Sequence, residues 1–106
     1  MPKYLITVSY TADGAKGLLK DGGTKRRQAA EAAVKGVGGR LESFYFAFGE
    51  HDVYAVLEAP DHAAMAAASI AIGASGAVRL RTVVLLQPEE IDQAVKKGAT
   101  YQPPGQ

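Results

Sequence analysis

The side chains able to do chemistry in this sequence fall into a few short groups. His51 and Asp52 stand side by side within Gly49-Glu50-His51-Asp52, an imidazole next to a carboxylate. Such a pair can move a proton near neutral pH or contribute to a metal site. Adjacent strand residues point to opposite faces, so the two converge only if a turn brings them together. The competing account is a hairpin turn in which Asp52 bonds local backbone amides. Asp61 and His62 make a second carboxylate–imidazole pair. An aspartate at a helix start is mostly a cap, and His62 beside it is expected to be partly exposed. A metal site built on His51 and His62 needs a further carboxylate and a convergence that the spacing does not show, so no metal and no other cofactor is expected.

The basic residues offer anion chemistry. Lys25-Arg26-Arg27 lies just after a helix start, where backbone N–H groups favour negative charge. A short charge run is usually a solvated face, which suits Lys25 and Arg27. Arg26 lies four residues before Ala30 and shares the register of the buried side, which gives it a pocket or ion-pair role. Arg79 and Arg81 share one strand face with Thr7 and Ser9 if the first and last strands are neighbours. Under a subunit interface each arginine must find a carboxylate, with Glu58 or Glu42 as the structural partner. The alternative is that Arg79 holds the acidic group of a small ligand. Of the strand tyrosines, Tyr4, Tyr10, Tyr45 and Tyr54, the default role is packing with the hydroxyl satisfied at an edge. Tyr10 ends its strand beside a helix start and is best placed to reach a cavity. The ligand-binding candidates are therefore Tyr10, Arg26, His51, Asp52, Tyr54 and Arg79. No phosphate loop is present, because none of the glycine pairs leads into Lys-Ser/Thr at a helix start.

Those residues must be carried by one domain, since 106 residues build one adequate core and not two. With 47% hydrophobic and 22% charged residues the composition is that of an ordinary globular protein. The absence of cysteine excludes disulfides, thiolate metal sites and cysteine nucleophiles. A formal net charge of +1 provides no field that would draw nucleic acid or an anionic membrane. No apolar run approaches the ~20 residues needed to span a bilayer, and MPKYLITVSY does not resemble a signal peptide, so a cytoplasmic location is expected.

Alternation in KYLITVSY predicts a first strand with Tyr4, Ile6, Val8 and Tyr10 on one face and Leu5, Thr7 and Ser9 on the other. Thr11 caps a short helix with an apolar stripe of Ala15, Leu18 and Leu19, interrupted at Gly22-Gly23. A second helix follows from near Thr24, burying Ala30, Ala33, Val34 and Val37, and ends in Gly36, Gly38 and Gly39. The stretch LESFYFAFGEHDVYAVLEAPD predicts the central hairpin. In its first strand Phe44, Phe46 and Phe48 alternate against Leu41, Ser43, Tyr45 and Ala47; in its second, Val53, Ala55 and Leu57 alternate against Tyr54, Val56 and Glu58. Pro60 is expected at the first position of an alanine-rich helix, apolar on several sides and needing more cover than a sheet gives. AVRLRTVVLL is a last strand, and Pro88 opens a terminal helix led by Glu89 and Glu90 and closed by Lys96 and Lys97.

The order predicts an α+β, ferredoxin-like βαββαβ domain at residues 1–98, with a four-stranded antiparallel sheet, helices on one face, an added C-terminal helix, and a loose tail at 99–106. The bare sheet face mixes apolar and polar groups, so two copies packed across a two-fold axis would form a dimeric α+β barrel with a cavity. The segments FGEHDVYAVLEAPD, MPKYLITVSYT and GAVRLRT, together with Arg26, resemble the GYD domain family of small bacterial proteins over residues 1 to about 95. That resemblance implies a dimeric α+β barrel and no established activity. His51 stands where the family's Gly-x-Tyr-Asp turn has tyrosine, so no phenol role transfers to this position. The leading functional expectation is a homodimer, or higher homo-oligomer, that binds a small acidic or aromatic molecule. The alternatives are a cofactor-independent monooxygenase or isomerase with His51 or His62 as base, and a scaffold subunit without ligand.

Overall fold

The computed structural model describes residues 1–106. Its elements are β1 (Lys3–Tyr10), α1 (Ala12–Asp21), α2 (Gly23–Gly36), β2 (Arg40–Phe46), β3 (Val53–Glu58), α3 (His62–Ala74), β4 (Val78–Leu85) and α4 (Pro88–Lys97). The four strands form one antiparallel sheet in the order β2-β3-β1-β4, as a ferredoxin-like βαββαβ chain requires. No helix is long and apolar enough to cross a membrane.

One face of the sheet packs under α2 and α3. Tyr4 and Ile6 from β1, Ala55 and Leu57 from β3, Val34 from α2 and Met65 and Ala68 from α3 form its core. Leu41 belongs to this core as well, which corrects its expected place opposite Phe44. A register shift between Leu41 and Ser43 inserts an extra residue into β2, and the alternation on either side of it therefore reverses.

Helix boundaries follow local chemistry. The Thr11 side chain accepts from the Gly14 N–H and caps α1. Gly14 is buried where the chain doubles back past β4: a Cβ there would stand 1.9 Å from the Ala77 carbonyl oxygen. The expected α1 stripe is narrower than its sequence suggested, because Leu19 is exposed. At the end of α2, Gly38 turns with φ 83° and Gly39 passes so close to Glu58 that a Cβ would lie 2.4 Å from its carbonyl oxygen. Asp61, not Pro60, sets the start of α3: its carboxylate accepts from the Ala64 N–H at 2.8 Å, and Pro60 precedes the cap.

α4 carries a capping box between Gln87 and Glu90, proline at its start, acids in its first turn and lysines in its last. None of its residues is buried. The chain measures 57 × 33 × 22 Å with a radius of gyration of 16.9 Å. A compact chain of this size has a radius of gyration of about 13 Å.

Candidate functional site

The sheet separates the six candidate residues into two groups of three. Tyr10, Arg26 and Asp52 lie toward the helices. His51, Tyr54 and Arg79 lie toward the bare face.

On the helix side a cavity of about 130 Å³ sits between the sheet, α2 and α3. Small residues make the room: Ala29, Ala30 and Ala33 of α2 and Ala68 of α3 leave space above Ile6 and Val8 that larger side chains would fill. Arg26 is the single charged residue lining it. Its place one turn before Ala30 on α2 follows from helical periodicity, as the sequence predicts. Arg26 is also 3.7 Å from Asp21 in an ion pair whose partners are partly exposed. Tyr10 lines the same cavity and a neighbouring open groove of about 450 Å³ that also touches Asp52, Leu18 and Phe46. Burial lifts the Tyr10 phenol above its ordinary value of 10.0, the Arg26 guanidinium draws it part of the way back, and the Asp52 carboxylate opposes that return.

Asp52 does not cap its own turn, which corrects the local account of it. Its Oδ2 accepts from the Tyr10 backbone N–H at 2.8 Å, while its own N–H donates to the Val8 carbonyl oxygen. The loop at residues 47–52 is thereby fastened to the end of β1, and the bond fixes the position of Tyr10 at the cavity.

On the bare face the strand registers set out rows of side chains. Thr7 lies opposite Tyr54 on one side and Arg81 on the other, and Ser9 lies opposite Arg79. His51 reaches this face from the loop: its Nδ1 is 3.3 Å from the Ser9 Oγ, and its ring meets Tyr54 edge to face with centroids 5.8 Å apart. His51 and Asp52 thus diverge to opposite sides of the sheet and form no acid/base pair. Glu42 and Glu58 do not neutralise Arg79 or Arg81, contrary to expectation. Glu42 pairs with Lys3 at 3.1 Å and Arg40 at 3.2 Å, and Glu58 with Arg40 at 3.5 Å. Neither Arg79 nor Arg81 has a carboxylate within 4.0 Å. Thr7 is 8% exposed and its Oγ1 has no hydrogen-bond partner, an arrangement that costs about 1–3 kcal/mol where no acceptor or donor answers it.

His62 belongs to neither group. It is exposed at the start of α3, and its Nδ1 shares a 2.5 Å hydrogen bond with the hydroxyl of Tyr4, a residue only 1% exposed. The two rings meet edge to face at 5.7 Å. Burial raises the Tyr4 phenol above its ordinary 10.0, and the nearby Asp61 carboxylate raises it further. No group of three or more His, Cys, Asp or Glu side chains converges as a metal site would require. The Tyr4–His62 contact spans 58 positions, and the α3 residues Met65 and Ile72 join the cavity from as far along the chain. Sequence spacing carried no signal for either, since only the crossover brings α3 over β1.

The topology and the space between helices and sheet define an α+β protein of the ferredoxin-like class. The GYD domain family matches residues 4–95, and the chain belongs to that family. No curated protein matches the sequence.

Proposed function

We propose that this protein is a homodimeric binding domain for a compact apolar acid, held between the sheet and helices α2 and α3. The observation that carries this reading is the cavity of about 130 Å³, apolar on every side except at Arg26. Its volume is close to the roughly 150 Å³ of an engineered apolar cavity that admits benzene, so a single ring or a short branched chain is the matching size. A carboxylate on that body would meet the Arg26 guanidinium, the charge-assisted pairing that orients a ligand in an otherwise apolar site. Tyr10 stands where the cavity meets the outer groove and supplies a neutral hydroxyl there. Neither His51 nor His62 lines the cavity, so a ligand held in it meets no imidazole base. Binding is therefore preferred to a monooxygenase or isomerase reaction dependent on those residues.

The dimer is proposed to close the bare sheet face. That face carries Val83 at 47% exposure in one row with Leu5 and Val56, and Tyr45 at 69% in the adjoining row. Burying such a patch against its own copy removes apolar area from water without leaving an open-ended contact.

Isothermal titration calorimetry with benzoate, and with benzyl alcohol as its uncharged analogue, tests the binding. Benzoate is expected to bind more tightly than the alcohol, and Arg26→Gln to weaken benzoate at least about tenfold while changing the alcohol little. Equal affinity of the two proteins for benzoate rejects the role of Arg26. Native mass spectrometry is expected to show two subunits, and a monomer at micromolar concentration rejects the dimer.

A further inference from the structure

We infer that the bare sheet face carries a second site, for a compact oxyanion, built by Arg79, Arg81, Ser9 and His51. It is separate from the cavity, because β1 and its neighbours stand between the two. The strand registers place Arg79 directly across from Ser9 and Arg81 directly across from Thr7, two rows apart by one step of the pleat. Cross-strand partners on one face have Cβ atoms about 5 Å apart, so both guanidinium groups reach the same area above β1. His51 adds an imidazole there through its contact with the Ser9 Oγ, and Tyr54 adds a phenol hydroxyl from the row of Thr7.

What distinguishes this cluster from ordinary surface charge is its lack of counter-charge. Of the chain's acids, Glu42 and Glu58 are engaged at the far end of the sheet by Lys3 and Arg40, Asp21 pairs with Lys25 and Arg26, and Asp52 is turned to the helix side. No carboxylate answers Arg79 or Arg81. Beneath Arg81 and Tyr54 the Thr7 hydroxyl is more than nine-tenths buried and unpartnered. A buried threonine hydroxyl with no hydrogen bond, in the middle of a paired strand, is a donor left over. Movement of the exposed Arg81 side chain onto a bound anion opens that hydroxyl to one of its oxygens. Two planar guanidinium forks, a serine, a threonine and an imidazole suit the tetrahedral oxygens of phosphate, and the same donors accept the two oxygens of a carboxylate.

Calorimetric titration of the full chain with inorganic phosphate, and separately with acetate, at one fixed ionic strength tests this site and separates the two chemistries. Saturable binding of phosphate, of acetate or of both is expected, and the stronger of the two names the ligand group. Arg79→Gln and Arg81→Gln are each expected to weaken it at least tenfold, and Ser9→Ala less. Arg26→Gln removes any acetate held in the cavity, and the binding that remains is expected to depend on Arg79 and Arg81, whereas Lys35→Gln, on the exposed side of α2, is expected to leave both titrations unchanged. Absence of saturable binding by both anions, or unchanged affinity in the Arg79→Gln/Arg81→Gln double variant, overturns the proposal. Circular dichroism of each variant confirms that the fold is retained. The site lies on the face that the proposed dimer covers, so in the dimer it lines the interior between the two sheets; a monomer that binds phosphate supports this site while rejecting the homodimer, and a dimer that binds neither anion does the reverse.

Discussion

The Asp52 carboxylate accepts the backbone N–H of Tyr10 at 2.8 Å across 42 positions of chain. One bond thus joins the loop of the central hairpin to the last residue of the first strand, at the point where the cavity opens. Replacing Asp52 by alanine leaves that amide without its charged acceptor. A loss of about 1.5–3 kcal/mol is expected, the range for hydrogen bonds to charged groups, read from the midpoint of urea unfolding. An unchanged midpoint would show that water replaces the carboxylate at no cost.

Gly14 is held against Ala77 by the hydrogen bond from Thr11 N–H to the Ala77 carbonyl oxygen at 3.0 Å. The added methyl of Gly14→Ala would stand 1.9 Å from that oxygen and 2.9 Å from the Tyr10 ring. Backbone must shift to admit it, so destabilisation by at least about 2 kcal/mol is expected, and displacement of Tyr10 should weaken binding in the cavity. Gly17, whose added Cβ meets nothing within 4 Å, is the matched control: Gly17→Ala should leave stability the same or slightly raise it.

The Lys3–Glu42–Arg40 cluster sets an acid limb of stability. The Lys3 ammonium, bonded to Glu42 at 3.1 Å, holds that carboxyl below its ordinary 4.5, with Arg40 assisting. A lowered folded value means the contribution is present above the unfolded value and is lost as pH falls through the folded one. Urea midpoints of the native chain and of Glu42→Gln should therefore differ near neutrality and converge as pH drops below 4.5. Added salt should narrow the difference, because these partners are solvent-accessible. A gap that is constant across this range would assign the effect to packing.

Tyr4 sets the opposite limb. Its phenol is raised by burial, so the folded chain keeps the proton where the unfolded chain releases it. This contribution is complete below the unfolded value near 10.0 and is lost as pH rises beyond it toward the raised folded value. Tyr4→Phe removes the hydrogen bond to His62 and costs about 1 kcal/mol at neutral pH, and its unfolding midpoint should fall less steeply in alkali than that of the native chain.

α4 buries none of its residues, although Ile91 and Val95 give it an apolar edge. At 10 residues it is shorter than the roughly 12–15 needed for an isolated helix to persist in water. Ending the chain after Leu86 should change the stability of the monomeric domain by no more than about 0.5 kcal/mol. A larger loss would mean that α4 packs in solution on a surface other than its own domain.

Local rules were enough to read the order of strands and helices, the caps at Thr11 and Asp61, the terminal helix and the faces of β1, β3 and β4, because each depends on neighbours within a few positions. They were enough, too, to place Arg26 on the buried side of its helix, since 3.6 residues per turn leaves no other choice. The face of Leu41 was not legible, because one extra residue in β2 reverses the alternation and its signature lies in the partner strand. The GEHD stretch appears continuous in sequence, yet His51 and Asp52 part at the sheet, one to Ser9 and one to the Tyr10 amide. Which side each took, and the pairing of Glu42 and Glu58 with Lys3 and Arg40 and not with Arg79, were settled only when β1 entered between β3 and β4. Sequence determined which chemical groups this protein has and the rhythm on which they project. Tertiary structure decided which of them share a space, because contacts across a sheet depend on strand order and register, and no local pattern encodes either.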